Sequence, residues 1–328
     1  MSVDVLVEME LKRKAALLGG IGSVRDRDAA SLAGLTTPMP PELPADAFHL
    51  PKAFISAPVS AETYRAIDVA FASYDGQVAL QERRMTPEGV DEARAYVAGL
   101  MGVDLGSIGV EIIPLQQWQD GGAEGKHYRA GVDQHFILMP ERVASPVEVL
   151  VHEFGHAAHT ILQRQNGEYP FFYTALNSSE FIAHFCQYRY VLDHLSREHF
   201  LVALGQLVTA SYALSIAASG VADDFEEYLA TPEAQGIYEG WPLHVLQTQY
   251  ELFSQNKGYY WVECNRAISL ILALLLIDDA EGMRRYASLD RIDVPLEAKL
   301  EAAFPGALAK MSFADINDKI QELLARFE

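Results

Sequence analysis

The sequence predicts a mainly helical protein with a small β-sheet just before its most distinctive helix. Two observations support this fold class. After Pro140, apolar residues recur at helical spacing almost to the end of the chain. Only two short segments, residues 108–115 and 134–139, have the apolar and β-branched character of strands. We therefore expect a helical architecture that includes a sheet of few strands.

The composition is that of an ordinary globular protein with an acidic surface. Of the 328 residues, 50% are hydrophobic and 21% are charged, which suffices for one large core or two joined domains. The formal net charge is −20. A charge of that sign is repelled by nucleic acids and by anionic membrane surfaces, so we expect neither as a partner.

The cysteines and the apolar segments bear on the cellular compartment. Cys186 and Cys264 form neither a disulfide framework nor a Cys-x-x-Cys motif, so we interpret them as buried, reduced thiols. Acidic residues interrupt the apolar stretch at the N-terminus, which argues against a signal peptide. The longest apolar run, residues 267–277, is about half as long as a membrane span and predicts a buried helix. These features predict a cytoplasmic protein.

The chain divides at residue 58 on its proline content. Residues 1–34 contain a short helical segment, and the six prolines of residues 35–58 exclude a helix and predict an extended arm. The predicted organisation is this N-terminal helix and Pro-rich arm over 1–58, followed by one helical domain over 59–328. Within that domain we expect the sheet at about 108–139, a candidate site at 145–185 and further helices over 200–328.

The helices are predicted from apolar periodicity and from capping residues. Thr86 is a good N-cap, and Pro87 suits the first helical position, so a helix is expected from there to about Met101. The other predicted helices span residues 61–79, 145–165, 178–200, 201–219, 222–230, 242–256, 259–278, 295–303 and 313–327.

The chemically informative motif is His152-Glu153-Phe-Gly-His156. Positions i and i+4 of a helix are about 40° apart in projection, so both imidazoles face one point, where they suit Zn²⁺. Glu153 points away from that line and can reach a water on the metal, taking its proton and later returning it. The uncharged flanks predict a buried helix, in which these groups would be costly without a metal. The alternative is a surface helix with incidental histidines.

A third zinc ligand must come from outside the motif. Leu176 stands where a thermolysin-like spacing requires an acid, and Leu162 where the metzincin pattern requires a histidine, so both spacings are excluded. Of the next acids, Glu168 lies in a turn, whereas Glu180 begins a predicted helix and is the favoured ligand. The alternative for Glu180 is an acid favoured by the helix dipole. His159, one turn after the motif, is expected to orient the ligands.

The motif and Glu180 together resemble the thimet oligopeptidase and oligoendopeptidase F family of zinc peptidases. The resemblance covers roughly residues 120–270, and typical members are much longer. It implies a zincin-like metallopeptidase fold, one zinc ion held by His152, His156 and Glu180, and Glu153 as general base. It also implies that the strand over 135–139 pairs with the backbone of a bound peptide.

The family also places a histidine and several tyrosines near its metal. In the matching segment Tyr259 and Tyr260 align with a doubled tyrosine, Val262 replaces a third, and Tyr250 or Ser254 stands at the histidine position. The resemblance therefore implies Tyr250, Tyr259 and Tyr260 as candidates for stabilising an oxyanion. The alternative for the doubled tyrosine is aromatic packing at a helix start.

These patterns predict a zinc metallopeptidase that hydrolyses amide bonds in short peptides. Two other functions stay open. The short chain and the altered tyrosine segment are compatible with a dedicated biosynthetic or tailoring metalloenzyme that acts on one peptide-like or small-molecule substrate. A non-catalytic zinc-binding protein would retain the metal ligands for structure alone.

Overall fold

The structure is a computed structural model of the chain. It describes residues 54–55, 59–78, 83–118, 124–130, 134–165, 176–238, 240–291 and 294–327. The predicted N-terminal helix, nearly all of the Pro-rich arm, its boundary at residue 58 and Glu168 lie outside the described residues.

The mainly α prediction is confirmed, because helices account for most of the described residues. The helices are α1 (Ala61–Val78), α2 (Pro87–Met101), α3 (Pro146–Arg164), α4 (Leu176–His194), α5 (Arg197–Ala203), α6 (Gly205–Ser219), α7 (Phe225–Leu229), α8 (Pro232–Tyr238), α9 (Leu243–Gln255), α10 (Lys257–Leu275), α11 (Ala280–Leu289), α12 (Leu296–Ala303) and α13 (Ile316–Leu324). Short 3₁₀ turns at Phe313–Asp315 and Ala325–Phe327 flank α13. The strands are β1 (Arg83–Arg84), β2 (Gly109–Ile113), β3 (Lys126–Ala130), β4 (Gln134–Pro140) and β5 (Arg142–Val143).

Both ends of α2 follow the predicted capping chemistry. The backbone N–H of Gly89 donates a hydrogen bond of 3.2 Å to Thr86 Oγ1, and Pro87 lies in the first turn. Gly102 ends the helix at φ 67°, a left-handed conformation that glycine adopts without strain. The predicted helix from Thr86 to Met101 is therefore confirmed.

Other elements differ from the prediction for local reasons. The helix expected over 178–200 is divided, because Ser196 accepts a hydrogen bond from the N–H of His199 and begins α5. The sequence does not predict α8 or α11, each of which contains a glycine that lowers helix propensity. It also does not predict β3, whose polar residues lack the alternation of a half-buried strand.

The described residues form two compact units. The first contains the described parts of 81–175 and 280–295, and the second contains those of 48–80, 176–279 and 296–328. In the first unit α3 packs against α2, α11 and the strands β3 and β4. The core there is formed by buried apolar side chains of these elements, among them Val97, Met101, Ile137, Met139, Leu150, Phe154 and Met283.

The three-stranded sheet of the first unit has the order β2-β4-β3, which corrects one implication of the resemblance. Residues 109–113 pair in parallel with 136–140 on one side of β4, and residues 126–130 pair antiparallel with 134–138 on the other. Both edges of β4 are therefore occupied. A bound peptide does not pair with the strand over 135–139, as the resemblance implies, and would have to use an outer strand.

In the second unit α10 packs against α4 and α6. The apolar run predicted to be a buried helix lies in the second half of α10 and just beyond it, where Ile268 and Leu272 are fully buried. Cys186 and Cys264 are buried free thiols, as predicted.

One stretch of the described chain, residues 197–219, meets the length and hydropathy of a membrane span. That is a statement of composition only, because 67% of its apolar window is buried inside the protein and Leu204 separates its two helices. Core helices of soluble proteins meet the same criterion. The cytoplasmic location stays a prediction.

Candidate metal centre

The helix that contains the motif is buried, as its sequence predicts. Pro146 lies in the first turn of α3, where its missing N–H costs no hydrogen bond, and Glu148 and Arg164 lie at the ends that suit their charges. Val151 and Phe154 are fully buried. The helix is therefore not a surface helix, and the metal-binding role of its histidines stays a prediction.

The two motif histidines lie next to each other on one side of α3. The centroids of the His152 and His156 rings are 4.8 Å apart, and their planes meet at 87°. Both side chains are half-buried, in contrast to the fully buried residues around them. Each imidazole therefore keeps part of its surface accessible.

His152, His156 and Glu180 form a group that could hold a metal ion. Each offers one ligand atom, and these atoms lie within 4.8 Å of one another. Two imidazole nitrogens and one carboxylate oxygen are a donor set that suits zinc at a site with an open fourth position. The three residues are therefore compatible with a metal ion, and its identity as zinc stays a prediction.

Glu153 lies between the two histidines in the sequence, and its side chain meets the backbone before β3. It is only 7% exposed. A Cβ atom built on Gly125 would lie 3.0 Å from Glu153 Cγ, 3.2 Å from Glu153 Oε1 and 2.7 Å from Met139 Sδ. The Glu153 carboxyl can therefore occupy this position because Gly125 has no side chain.

On the sequence-based prediction that Glu153 is a general base in a metal-dependent hydrolase, we expect Gly125→Ala to lower the catalytic rate by about tenfold to a hundredfold without loss of metal, because the new methyl group displaces the Glu153 carboxyl. The matched control is Gly99→Ala on α2, where an added Cβ meets no atom within 4 Å. Steady-state kinetics and metal analysis of both variants check this expectation. Equal rates for the two alanine variants would contradict it.

Glu180 lies in the second turn of α4, four residues after its start at Leu176. The helix dipole acts mainly on the first turn, so it gives little reason for an acid at this position. His184, one turn later, places Nε2 3.4 Å from Glu180 Oε2 and Nδ1 3.0 Å from Gln187 Oε1. The imidazole of His184 therefore lies next to the Glu180 carboxylate.

Glu263 is a second buried carboxylate near Glu180, and the sequence analysis did not single it out. It forms an ion pair with Arg266, one turn later on α10. Burial raises the pKa of Glu263, the Arg266 charge opposes that shift, and the charge of Glu180 adds to it. The sequence feature that could have drawn attention to Glu263 is that it is the only acidic residue in the largely apolar helix α10.

The His159 side chain forms a hydrogen bond with Asp290, the residue that follows α11. Its Nε2 lies 2.9 Å from Asp290 Oδ2, and both side chains are almost fully buried. Gln163 Nε2 donates to the Asp290 backbone oxygen at 3.0 Å. This pair fixes the second half of α3, which follows the motif.

Tyr250, on α9, forms its hydrogen bond and its ring contacts with residues of the second unit. Its hydroxyl donates a hydrogen bond of 3.2 Å to the Val221 carbonyl oxygen, and its ring packs against Phe225 and Tyr228. Burial raises the pKa of Tyr250, so the phenol stays protonated at neutral pH. Its role in stabilising an oxyanion stays a prediction.

The doubled tyrosine lies at the start of α10. The backbone N–H of Tyr259 donates to Asn256 Oδ1, which caps the helix, and both tyrosine rings pack around Phe253. Burial raises the pKa of both phenols. These contacts agree with aromatic packing at a helix start, and the oxyanion role of Tyr259 and Tyr260 stays a prediction.

Comparison with known proteins adds no relative. No family model, curated protein or solved structure matches this chain. The resemblance to the thimet oligopeptidase and oligoendopeptidase F family thus stays a prediction from the motif. Any function must be argued from the residues of the site.

Proposed function

We propose that the protein is a zinc-dependent metallopeptidase of zincin-like fold that hydrolyses amide bonds in short peptides. The proposal rests above all on one turn of the buried helix α3. That turn presents two adjacent imidazoles, His152 and His156, and between them a carboxyl group, Glu153, that is 7% exposed. This combination supplies metal ligands and a base within five residues.

His152, His156 and Glu180 would hold the zinc ion. When bound, zinc lowers the pKa of a water molecule and polarises the carbonyl group of the scissile amide. Neutral imidazoles are required for binding, because a protonated ring has no lone pair to offer. His184 Nε2 lies 3.4 Å from Glu180 Oε2, so a histidine stands beside the carboxylate that would bind the metal.

Glu153 acts as the general base and then as the general acid. It accepts a proton from the attacking water and delivers it to the nitrogen of the leaving amine. The carboxyl is buried and lies against the backbone of Gly125, which limits its freedom to leave this position. One side chain, that of Glu153, thus transfers the proton from the water to the leaving amine.

A peptide substrate is favoured by the strand that follows Gly125. Among the described strands β3 is an outer strand that pairs only with β4, and an outer strand is the position at which an extended peptide would add to the sheet. Such pairing would place a substrate backbone beside the turn of α3 that contains Glu153. This supports a peptide over a compact small molecule.

The test is metal analysis and peptide cleavage by the purified protein. We expect about one zinc per chain and cleavage of members of a quenched-fluorescent peptide library, lost with 1,10-phenanthroline and restored by zinc, because all nucleophile activation depends on the metal. His156→Ala should lose both metal and activity. His244→Ala, an exposed histidine on α9, is the matched control and should lose neither.

A chain that binds no metal would contradict the proposal. A zinc-loaded chain that cleaves no ordinary peptide would instead favour the tailoring enzyme. That enzyme is the second candidate because the Tyr250 hydroxyl donates a hydrogen bond to the Val221 carbonyl oxygen. In a general peptidase, the resemblance implies that this hydroxyl would stabilise the oxyanion, whereas here it already has a backbone partner.

A further inference from the structure

A chain of hydrogen bonds runs from the end of α3 to β3 within the first unit. Arg164 NH1 lies 3.1 Å from His135 Nε2, and His135 Nδ1 lies 3.0 Å from His127 Nε2. His135 is 4% exposed, so it is shielded from water. None of the three side chains belongs to a motif that is recognisable in the sequence.

The guanidinium group fixes the direction of this chain. Arginine has five N–H donors and no acceptor, so His135 must accept at Nε2. The proton of a neutral His135 is then on Nδ1, and it is donated to Nε2 of His127. A His127 ring that accepts at Nε2 has its own proton on Nδ1. Both imidazoles are thus neutral, with a defined tautomer.

His127 lies beside the proposed site of chemistry. Its ring is 6.2 Å from that of His156, centroid to centroid, and the two planes differ by 14°. Residues 125 and 127 alternate along an extended chain and so share a face. Gly125 lies next to Glu153, and the His127 ring lies near the His156 ring. This face of the strand therefore lies along the turn of α3 that contains the motif.

We propose that His127 is a catalytic residue that donates a hydrogen bond from Nδ1 to the carbonyl oxygen of the scissile amide. His135 and Arg164 are positioning residues, because they keep the proton of His127 on Nδ1. The inference rests on the proposed amide hydrolysis. It supplies an oxyanion donor from β3, whereas the resemblance implies donors only among Tyr250, Tyr259 and Tyr260.

A neutral imidazole suits this task. It donates to a developing negative charge and does not repel a cationic metal beside it, as an imidazolium would. The donor is already oriented before substrate binds, so no reorganisation is needed when charge develops on the carbonyl oxygen. Stabilisation of this kind appears in kcat more than in KM, because it acts on the transition state.

The first test exploits the geometry of amide side chains. Asn places an amide nitrogen near the position of imidazole Nδ1, and Gln places one near Nε2. We expect His127→Ala and His127→Gln to lower kcat about 10²- to 10³-fold with little change in KM or zinc content, whereas His127→Asn restores much of the loss. Equal rates for the Asn and Gln variants, or loss of zinc from His127→Ala, would overturn the assignment.

The positioning residues are tested by a conservative pair. Arg164→Lys retains a donor that cannot accept, so the tautomer of His127 and most of kcat should persist. Arg164→Met removes that donor and should lower kcat while zinc stays bound. If the Lys and Met variants have the same kcat, Arg164 has no positioning role.

A tautomer measurement on the wild-type protein does not depend on activity. The ¹⁵N chemical shifts of the imidazole rings should show His127 and His135 both protonated at Nδ1 at neutral pH, with and without zinc. A proton on Nε2 of His127 would overturn the inference even in an active peptidase. Conversely, the expected tautomers in a chain that cleaves no peptide would mean that the proposed function, not the hydrogen-bond chain, is at fault.

Discussion

Glu153→Gln is expected to lower kcat for peptide cleavage about 10³-fold while zinc remains bound. Glutamine keeps the size and hydrogen-bonding capacity of the side chain, but its amide does not take a proton from water at neutral pH. General base and acid functions contribute about 10²- to 10⁴-fold, and in the proposed reaction one residue performs both. KM should change little, because the substitution leaves the metal ligands and β3 in place.

The matched control is Glu148→Gln, which alters another buried carboxyl of α3 outside the motif. Metal analysis and steady-state kinetics should show full zinc in both variants and a large loss of kcat only at Glu153. Wild-type kcat in the Glu153 variant would exclude it as the base. If the wild-type protein has no activity and the two variants are indistinguishable from it in every assay, the non-catalytic alternative holds.

Asp290→Ala is expected to lower the free energy of unfolding by about 3–5 kcal/mol. The His159 and Asp290 side chains are 2% and 1% exposed, so water cannot replace the lost partner of His159. Gln163 loses a contact as well, because its amide lies 3.5 Å from Asp290 Oδ2. A buried donor without an acceptor retains the full cost of its desolvation.

Two variants bracket this expectation. Asp290→Asn keeps an oxygen acceptor for His159 and should lose clearly less stability than the alanine variant. Glu281→Ala removes an exposed partner of Arg285 on α11 and should cost about 1 kcal/mol or less. Urea unfolding of the three variants measures the differences. The same unfolding midpoint for Asp290→Ala and Glu281→Ala would show that the buried pair contributes no more than an exposed one.

The sequence predicts best where the cause of structure is local. α2 begins at Thr86 and ends before Gly102 because capping and glycine conformation act within a few residues. The spacing of His152 and His156 likewise places their rings side by side because a helix repeats every 3.6 residues. These features need no knowledge of the rest of the fold.

The parts that the sequence did not predict depend on contacts between distant segments. β3 is a strand because it pairs with β4, and its own residues give no periodic signal. Glu263, His127 and Asp290 belong to no local motif. Glu263 is affected by the charge of Glu180 on another helix, His127 lies on an unpredicted strand, and Asp290 pairs with a histidine 131 residues away. Their importance becomes visible only once the fold has placed charge, donor and acceptor together.

The pair between His159 and Asp290 also has a consequence for the order of events during biosynthesis. It joins positions that are 131 residues apart, and the unit that contains it is interrupted in sequence by residues 176–279. A ribosome must therefore complete that whole insertion before α11 and Asp290 emerge. Until then, the nascent helix α3 lacks its buried anchor. The helix that contains the proposed site consequently gains this anchor only after residues 176–279 have been translated.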